Sequence, residues 1–190
     1  MGAEAATGHF HAVRFYEDDA SLCRIVSDFI AEGLALEHPA LVIASRPHID
    51  AIVKNLTDAT IDVEQLRKNG EVLLLDARQT LATFMVNGQP APAFFKASAT
   101  RALEQLARGR ARTIRAYGEM VDVLWKDGMS AAAIKLEMLW NRLANTHDFS
   151  LLCGYAMGQF YKDATIQDVC RHHTHVVSAS GEVARIAKPA

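Results

Sequence analysis

Cysteine is scarce in this sequence: Cys23, Cys153 and Cys170 are the only three in 190 residues. An odd number at these spacings fits neither a disulfide framework nor a zinc ribbon or finger. Reduced thiols in a cytoplasmic protein are the simplest reading. Basic charge is not in excess, with 20 Lys and Arg against 22 Asp and Glu. Nucleic-acid binding normally needs a net basic face that displaces counterions from phosphate, so no direct nucleic-acid partner is expected. No window of about 20 residues is continuously apolar, which argues against a membrane span. Residues 1–8 lack a basic region followed by an apolar run, so they are no secretory signal. They are small and polar, and should be disordered. Phosphate-binding glycine loops are missing as well. Neither Gly-x-x-x-x-Gly-Lys-Ser/Thr nor Gly-x-Gly-x-x-Gly occurs, so there is no functional Walker A motif. No nucleophile elbow anchors hydrolase chemistry either.

What is present is the balance of an ordinary globular protein, 50% apolar and 22% charged, with the length of one domain. Ala12–Tyr16 reads as a short strand, followed by the acidic turn Glu17-Asp18-Asp19. Leu22, Ile25, Val26, Phe29, Ile30 and Gly33 then recur at helical spacing, with Asp18 or Asp19 as N-cap. Ala40–Ala44 and Val72–Asp76 are unbroken apolar runs, as expected of strands buried on both faces. Helices are expected near 49–56, 62–69 and 78–86, with a turn at Asn87-Gly88-Gln89-Pro90. A further helix should span 92–108, capped by Gly109. Thr113–Tyr117 is a candidate strand, Ser130 caps a helix to about Asn145, and Ser150–Tyr155 is the last central strand. A short helix near 163–171 leads into a histidine-rich tail. Strands alternating with helices indicate a parallel sheet covered on both faces.

Few residues announce chemistry. Leu73-Leu74-Leu75-Asp76 looks like a Walker B strand, though an apolar strand ending in Asp is common for structural reasons. Arg115 sits within an apolar strand and Glu119 just beyond its carboxyl end, the edge where ligands bind in open parallel sheets. Glu137 and Asn141, four apart, lie on one face of an otherwise apolar helix and must be hydrogen-bonded there. Cys153 and Tyr155 share one face of the last central strand. Cys170, His172, His173 and His175 invite a metal reading, since thiolate and imidazole are zinc ligands. On a helix His172 would face away from Cys170 and His173, and a site would have to borrow His9 or His11 from the other end of the chain. A solvated helix end is the simpler reading, so no metal and no other cofactor is expected.

Six segments in order carry a family resemblance. They are His11–Asp19, Phe29–Leu34, Ile114–Met120, Leu136–Asn141, Leu151–Tyr155 and Val169–His173. Together they resemble the MEDS domain, the methanogen/methylotroph DcmR sensory domain, over residues 9–177, with 178–190 left as a C-terminal tail. The resemblance implies a RecA/KaiC-like α/β fold without its phosphate loop: a three-layer sandwich around a mostly parallel sheet of five or six strands. It implies a non-catalytic signal-input domain that binds a small molecule, such as a hydrocarbon derivative. The output would pass to a two-component or transcriptional partner, such as a histidine kinase or a transcriptional regulator. A homodimer is a reasonable expectation for such a module. The rival reading is an enzyme, either a degenerate nucleotide binder or a thiol- or metal-dependent catalyst using Cys153 or the His172/His173/His175 group. Arg115, Glu119, Glu137, Asn141, Cys153 and Tyr155 should converge as the ligand site, near the carboxyl edge of the sheet. Glu119 or Glu137 should pair with Arg115, because a buried guanidinium without a carboxylate is costly.

Overall fold

The apolar runs become strands and the amphipathic stretches pack over them. The computed structural model describes residues 9–108, 112–159 and 166–187. Strand β1 (His11–Tyr16) is followed by helix α1 (Asp19–Ala35), capped by Asp18, whose carboxylate accepts the backbone N–H of Ser21 at 2.7 Å. Next come β2 (Ala40–Ala44), α2 (Arg46–Asp58), α3 (Val63–Lys68), β3 (Val72–Asp76) and α4 (Ala77–Ala82). A small hairpin, β4 (Met85–Val86) and β5 (Gln89–Pro90), precedes α5 (Pro92–Ala107). Strand β6 (Ile114–Gly118) leads to α6 (Met120–Lys126), α7 (Ser130–Leu143) and β7 (Phe149–Ala156). The chain ends in α8 (Ile166–Cys170), β8 (His175–Val177) and β9 (Val183–Arg185).

The sheet order is β3-β2-β6-β7-β1-β8-β9, parallel throughout except for the β8–β9 pair. Its two faces carry separate apolar cores. Helices α1 and α2 cover one face, packing Leu22, Val26, Ile30 and Ile52 on Val42, Tyr117 and Leu152. Helices α4 to α7 cover the other, with Phe95, Leu103, Leu136 and Trp140 on Leu41, Ala116 and Leu151. Alternate residues of each central strand therefore belong to different cores. This is the mostly parallel three-layer α/β architecture the strand and helix pattern predicts.

The structure departs from the expected layout at one edge of the sheet and in the 78–86 helix. The sheet has seven strands, not five or six, because the stretch read as a tail returns along β8 as β9. Gly181, at φ 88°, and the Ser178 N–H to Glu182 carbonyl bond of 2.9 Å make that turn. The helix expected over 78–86 stops at Ala82, since Asn87 and Gly88, both at positive φ, fold 85–90 into a two-residue hairpin. The expected Gly109 cap, the expected start of the helix near 163–171 and the expected disorder of 1–8 lie outside the described residues.

Candidate functional site

Two polar clusters sit on this framework. The first lies at the carboxyl edge, where β1, β2, β6 and β7 all end. Asp122, one turn into α6 and fully buried, accepts the Tyr16 hydroxyl at 2.8 Å and the Ala156 backbone N–H at 2.8 Å. Lys126 pairs with the same carboxylate at 2.6 Å and donates to Tyr16 Oη at 3.0 Å. Glu119, just past β6, lies 2.7 Å from His48 Nδ1, and His48 Nε2 reaches Asp19 at 3.3 Å. The hydrogen bond to Glu119 raises the His48 pKa above its ordinary value, against the opposing effect of burial. Asp76, which could have served a Walker B strand, instead caps α4 by accepting the Gln79 N–H at 2.9 Å. The edge thus carries carboxylates where a nucleotide-binding fold would offer amides to phosphate.

The second cluster is buried between β1, β7 and α7. Parallel register sets Val13 beside Cys153, so His11 on β1 lies diagonally across from Cys153 on the same face. Helix α7 lays Glu137 over Cys153 and Tyr155, and Asn141, one turn on, over His11. The segment after α8 adds His173. Exposure is zero for His11, Glu137, Cys153 and Tyr155, and 2% for His173. Tyr155 donates its hydroxyl to Glu137 Oε1 at 2.7 Å. His11 Nε2 lies 3.2 Å from Glu137 Oε2 and 3.4 Å from Cys153 Sγ, and His173 Nε2 lies 3.4 Å from Glu137 Oε1. Cys153 Sγ is 3.7 Å from Glu137 Oε2. Burial alone would push the Glu137 carboxyl up, but the imidazoles of His173 and His11 outweigh it and hold it well below the carboxylate range. Burial, then the Glu137 charge, pushes the Cys153 thiol and the Tyr155 phenol well up. A thiol so placed is the opposite of an activated nucleophile.

Four of the six expected site residues, Glu137, Asn141, Cys153 and Tyr155, are therefore brought together. Arg115 and Glu119 are not with them. Strand alternation is the reason: Arg115 and Tyr117 point to the α1 face of β6, whereas Cys153 and Tyr155 point to the α7 face of β7. The expected ion pair of Arg115 with Glu119 or Glu137 is absent among the described residues. Arg115 instead runs its stem over Gly33 of α1 and sets its guanidinium over the Phe29 ring, 4.8 Å from the centroid. A methyl group on Gly33 would meet Arg115 Cγ at 2.1 Å, so glycine is required for that approach. Glu119 takes His48 as its partner. Cys170, His172 and His175 are partly exposed, as a solvated helix end implies, but His173 is buried. The centre also sits within the sheet, not at its edge, since Cys153 is the fifth residue of the eight-residue β7. A cavity of about 400 Å³ lies elsewhere, lined by Val53, Thr57, Ile61, Val63 and Leu74.

His48 and Asp122 went unmarked as site residues in the sequence, and His11 was named only as a residue that a metal site would have to borrow. Asp122 had a signal: it is a lone acid among apolar neighbours in Met120–Trp125, every one of them buried. His11 opens an apolar strand, and only the pairing of β1 with β7 gives that position meaning.

The fold is a mostly parallel α/β architecture with KaiC-like structural neighbours. Two solved structures share it, both from Pyrococcus horikoshii. One is the KaiC-like protein PH0186 of strain OT3, 14% identical with a TM-score of 0.57, over 87% of this chain and 70% of that one. The other is the uncharacterized protein PH0321 in complex with an unknown peptide, 11% identical with a TM-score of 0.63, over 90% and 77%. No curated protein matches the sequence. The family model of MEDS, the methanogen/methylotroph, DcmR sensory domain, matches residues 10–174. The chain belongs to the MEDS family, and a sensory role goes with that membership. No helix among the described residues is long and apolar enough to cross a membrane.

Proposed function

We infer that the chain is a signal-input module whose sensing centre is the buried group around Glu137, with Asn141, Cys153 and Tyr155 as ligand-contacting residues. The observation that carries this reading is how the centre is wired to the end of the chain. Asn141 Nδ2 donates to the His172 carbonyl at 2.8 Å, and Thr174 N–H donates to the His11 carbonyl at 2.7 Å. The His11 N–H in turn donates to Thr174 Oγ1 at 3.0 Å. Any change at Glu137 or His11 therefore alters the seating of residues 169–177, which run from the end of α8 into strand β8. A small organic molecule, a short hydrocarbon derivative in the simplest case, enters the centre and shifts that segment. The shift changes its contact with a cytoplasmic signalling partner, a histidine kinase or a transcriptional regulator. The module spans residues 9–177 and acts as a homodimer, without catalysis. A catalytic reading would need an accessible thiolate, whereas Cys153 is enclosed and its thiol pKa raised.

The test is a thermal-shift and hydrogen-exchange panel of short alcohols, aldehydes and haloalkanes on the purified chain, beside native mass spectrometry. The expected result is a saturable shift with at least one class, with altered exchange confined to 166–177, and its loss in Glu137→Gln. No saturable binding and no co-purified small molecule would sink the proposal. Turnover of ATP abolished by Asp76→Ala would move the reading to an enzyme.

A further inference from the structure

One ligand-type atom each from His11, Glu137, Cys153 and His173 lies within 4.8 Å of the other three. His11 Nε2 lies 3.2 Å from Glu137 Oε2 and 3.4 Å from Cys153 Sγ, Cys153 Sγ lies 3.7 Å from Oε2, and His173 Nε2 lies 3.4 Å from the other carboxylate oxygen, Oε1. Bonds of about 2.0–2.3 Å to a tetrahedral zinc put neighbouring ligand atoms about 3.3–3.8 Å apart, so the cage already has the right size. Its outer contacts aim the lone pairs inward. Asn141 donates Nδ2 to a carbonyl, which leaves Oδ1 to accept from His11 Nδ1 at 2.9 Å. His173 Nδ1 donates to the Val169 carbonyl at 2.8 Å. Both imidazoles therefore spend Nδ1 outside the cluster and turn Nε2 into it, the arrangement that orients metal-binding histidines. Tyr155 occupies Glu137 Oε1, leaving Oε2 toward His11 and Cys153. His173 Nε2 is buried and makes no hydrogen bond among the described residues, only the 3.4 Å contact with Glu137 Oε1, so a cation between them would satisfy both.

We propose that His11, Glu137, Cys153 and His173 form a tetrahedral site for a divalent cation of the zinc class. Two imidazole nitrogens, a thiolate sulfur and one carboxylate oxygen are a zinc donor set, not the all-oxygen shell of magnesium or calcium. A dication with one thiolate, one carboxylate and two neutral imidazoles carries no net charge, which suits a place closed to water. Binding releases the Cys153 thiol proton, together with any proton that His11 or His173 holds on Nε2 toward Glu137, to solvent. With four protein ligands the site is closed, so the ion clamps residues 169–177 onto β1, α7 and β7. This concerns the centre assigned to sensing above, yet the ion needs no organic ligand, so the two readings fail separately.

The test uses the full chain, loaded with zinc or cobalt, freed of unbound metal, and examined by elemental analysis and absorption spectroscopy. The expected result is one tightly held zinc per chain. The cobalt form should show intense tetrahedral visible bands and a thiolate-to-cobalt charge-transfer band. Cys153→Ser should lose the charge-transfer band. Cys23→Ser, Cys170→Ser and His172→Gln should keep it, which identifies the sulfur even if Cys153→Ser fails to fold. Tyr155→Phe, which only orients Glu137, should weaken zinc about 10–100-fold. A folded wild-type chain that retains no zinc and gives a pale octahedral cobalt spectrum would overturn the proposal. So would a charge-transfer band that depends on Cys170.

Discussion

Asp122 and Glu137 are both buried carboxylates on helices that follow β6, yet their surroundings differ in kind. Asp122 meets a hydroxyl, a backbone N–H and an ammonium, all of them donors. Glu137 meets one hydroxyl, two imidazoles and a thiol. A carboxylate fully supplied with donors is a finished structural element, because its burial is compensated by its bonds. One that also faces two imidazole nitrogens requires a proton on them or a cation between them. That difference separates a corner that holds the sheet edge together from a centre that can respond to something added.

The comparison can be broken most forcefully at Glu137. Glu137→Ala removes the hub of the buried cluster and should cost about 3–5 kcal/mol, read from urea denaturation. A loss well under 1 kcal/mol would mean that the centre contributes nothing to the native state. Asp122→Ala should cost less, about 1.5–3 kcal/mol, the worth of hydrogen bonds to a charged group. Unlike Glu137→Ala, it should leave metal and small-molecule binding unchanged. A collapse of zinc retention in Asp122→Ala would erase the distinction between the clusters.

The α1 face sharpens the comparison further, because Arg115 is settled there with no ion pair among the described residues, only the more distant charge of Glu32. Gly33→Ala should cost about 1–3 kcal/mol by overpacking, and Arg115→Ala about 1 kcal/mol through the lost contact with Phe29. In the double variant the Gly33 penalty should largely vanish, giving a non-additive cycle in thermal denaturation. Strict additivity would show that the Arg115 stem does not lie on Gly33.

The smallest expected effect concerns pH. His48 titrates above the ordinary histidine value because it bonds Glu119. Its bridge therefore contributes fully below about pH 6.5 and is lost as pH rises through the raised value. The unfolding free-energy gap between wild type and His48→Gln should be larger at pH 6 than at pH 8.5, by up to about 1 kcal/mol. An equal gap at both values would remove the charged bridge from the edge cluster.

Much of the architecture was legible along the chain. The unbroken runs Ala40–Ala44 and Val72–Asp76 are both strands, though only β2 is buried on both faces while β3, at the sheet edge, is half-buried, and α1 carries its apolar stripe and its Asp18 cap in plain view. Glu137, Asn141, Cys153 and Tyr155 could be grouped because helix spacing and strand alternation place each pair on one face. Those same local periods say nothing about which face of the sheet a given strand turns toward a given helix. Arg115 was therefore misjoined to Glu137, across the thickness of the sheet. Only the parallel pairing of β1 with β7 brings His11 to Cys153, and only the return of the chain beside β1 brings His173 to Glu137. Local periodicity is set by backbone geometry within a few residues. The meeting of positions 11, 137, 153 and 173 depends on strand order and register, which tertiary packing alone decides.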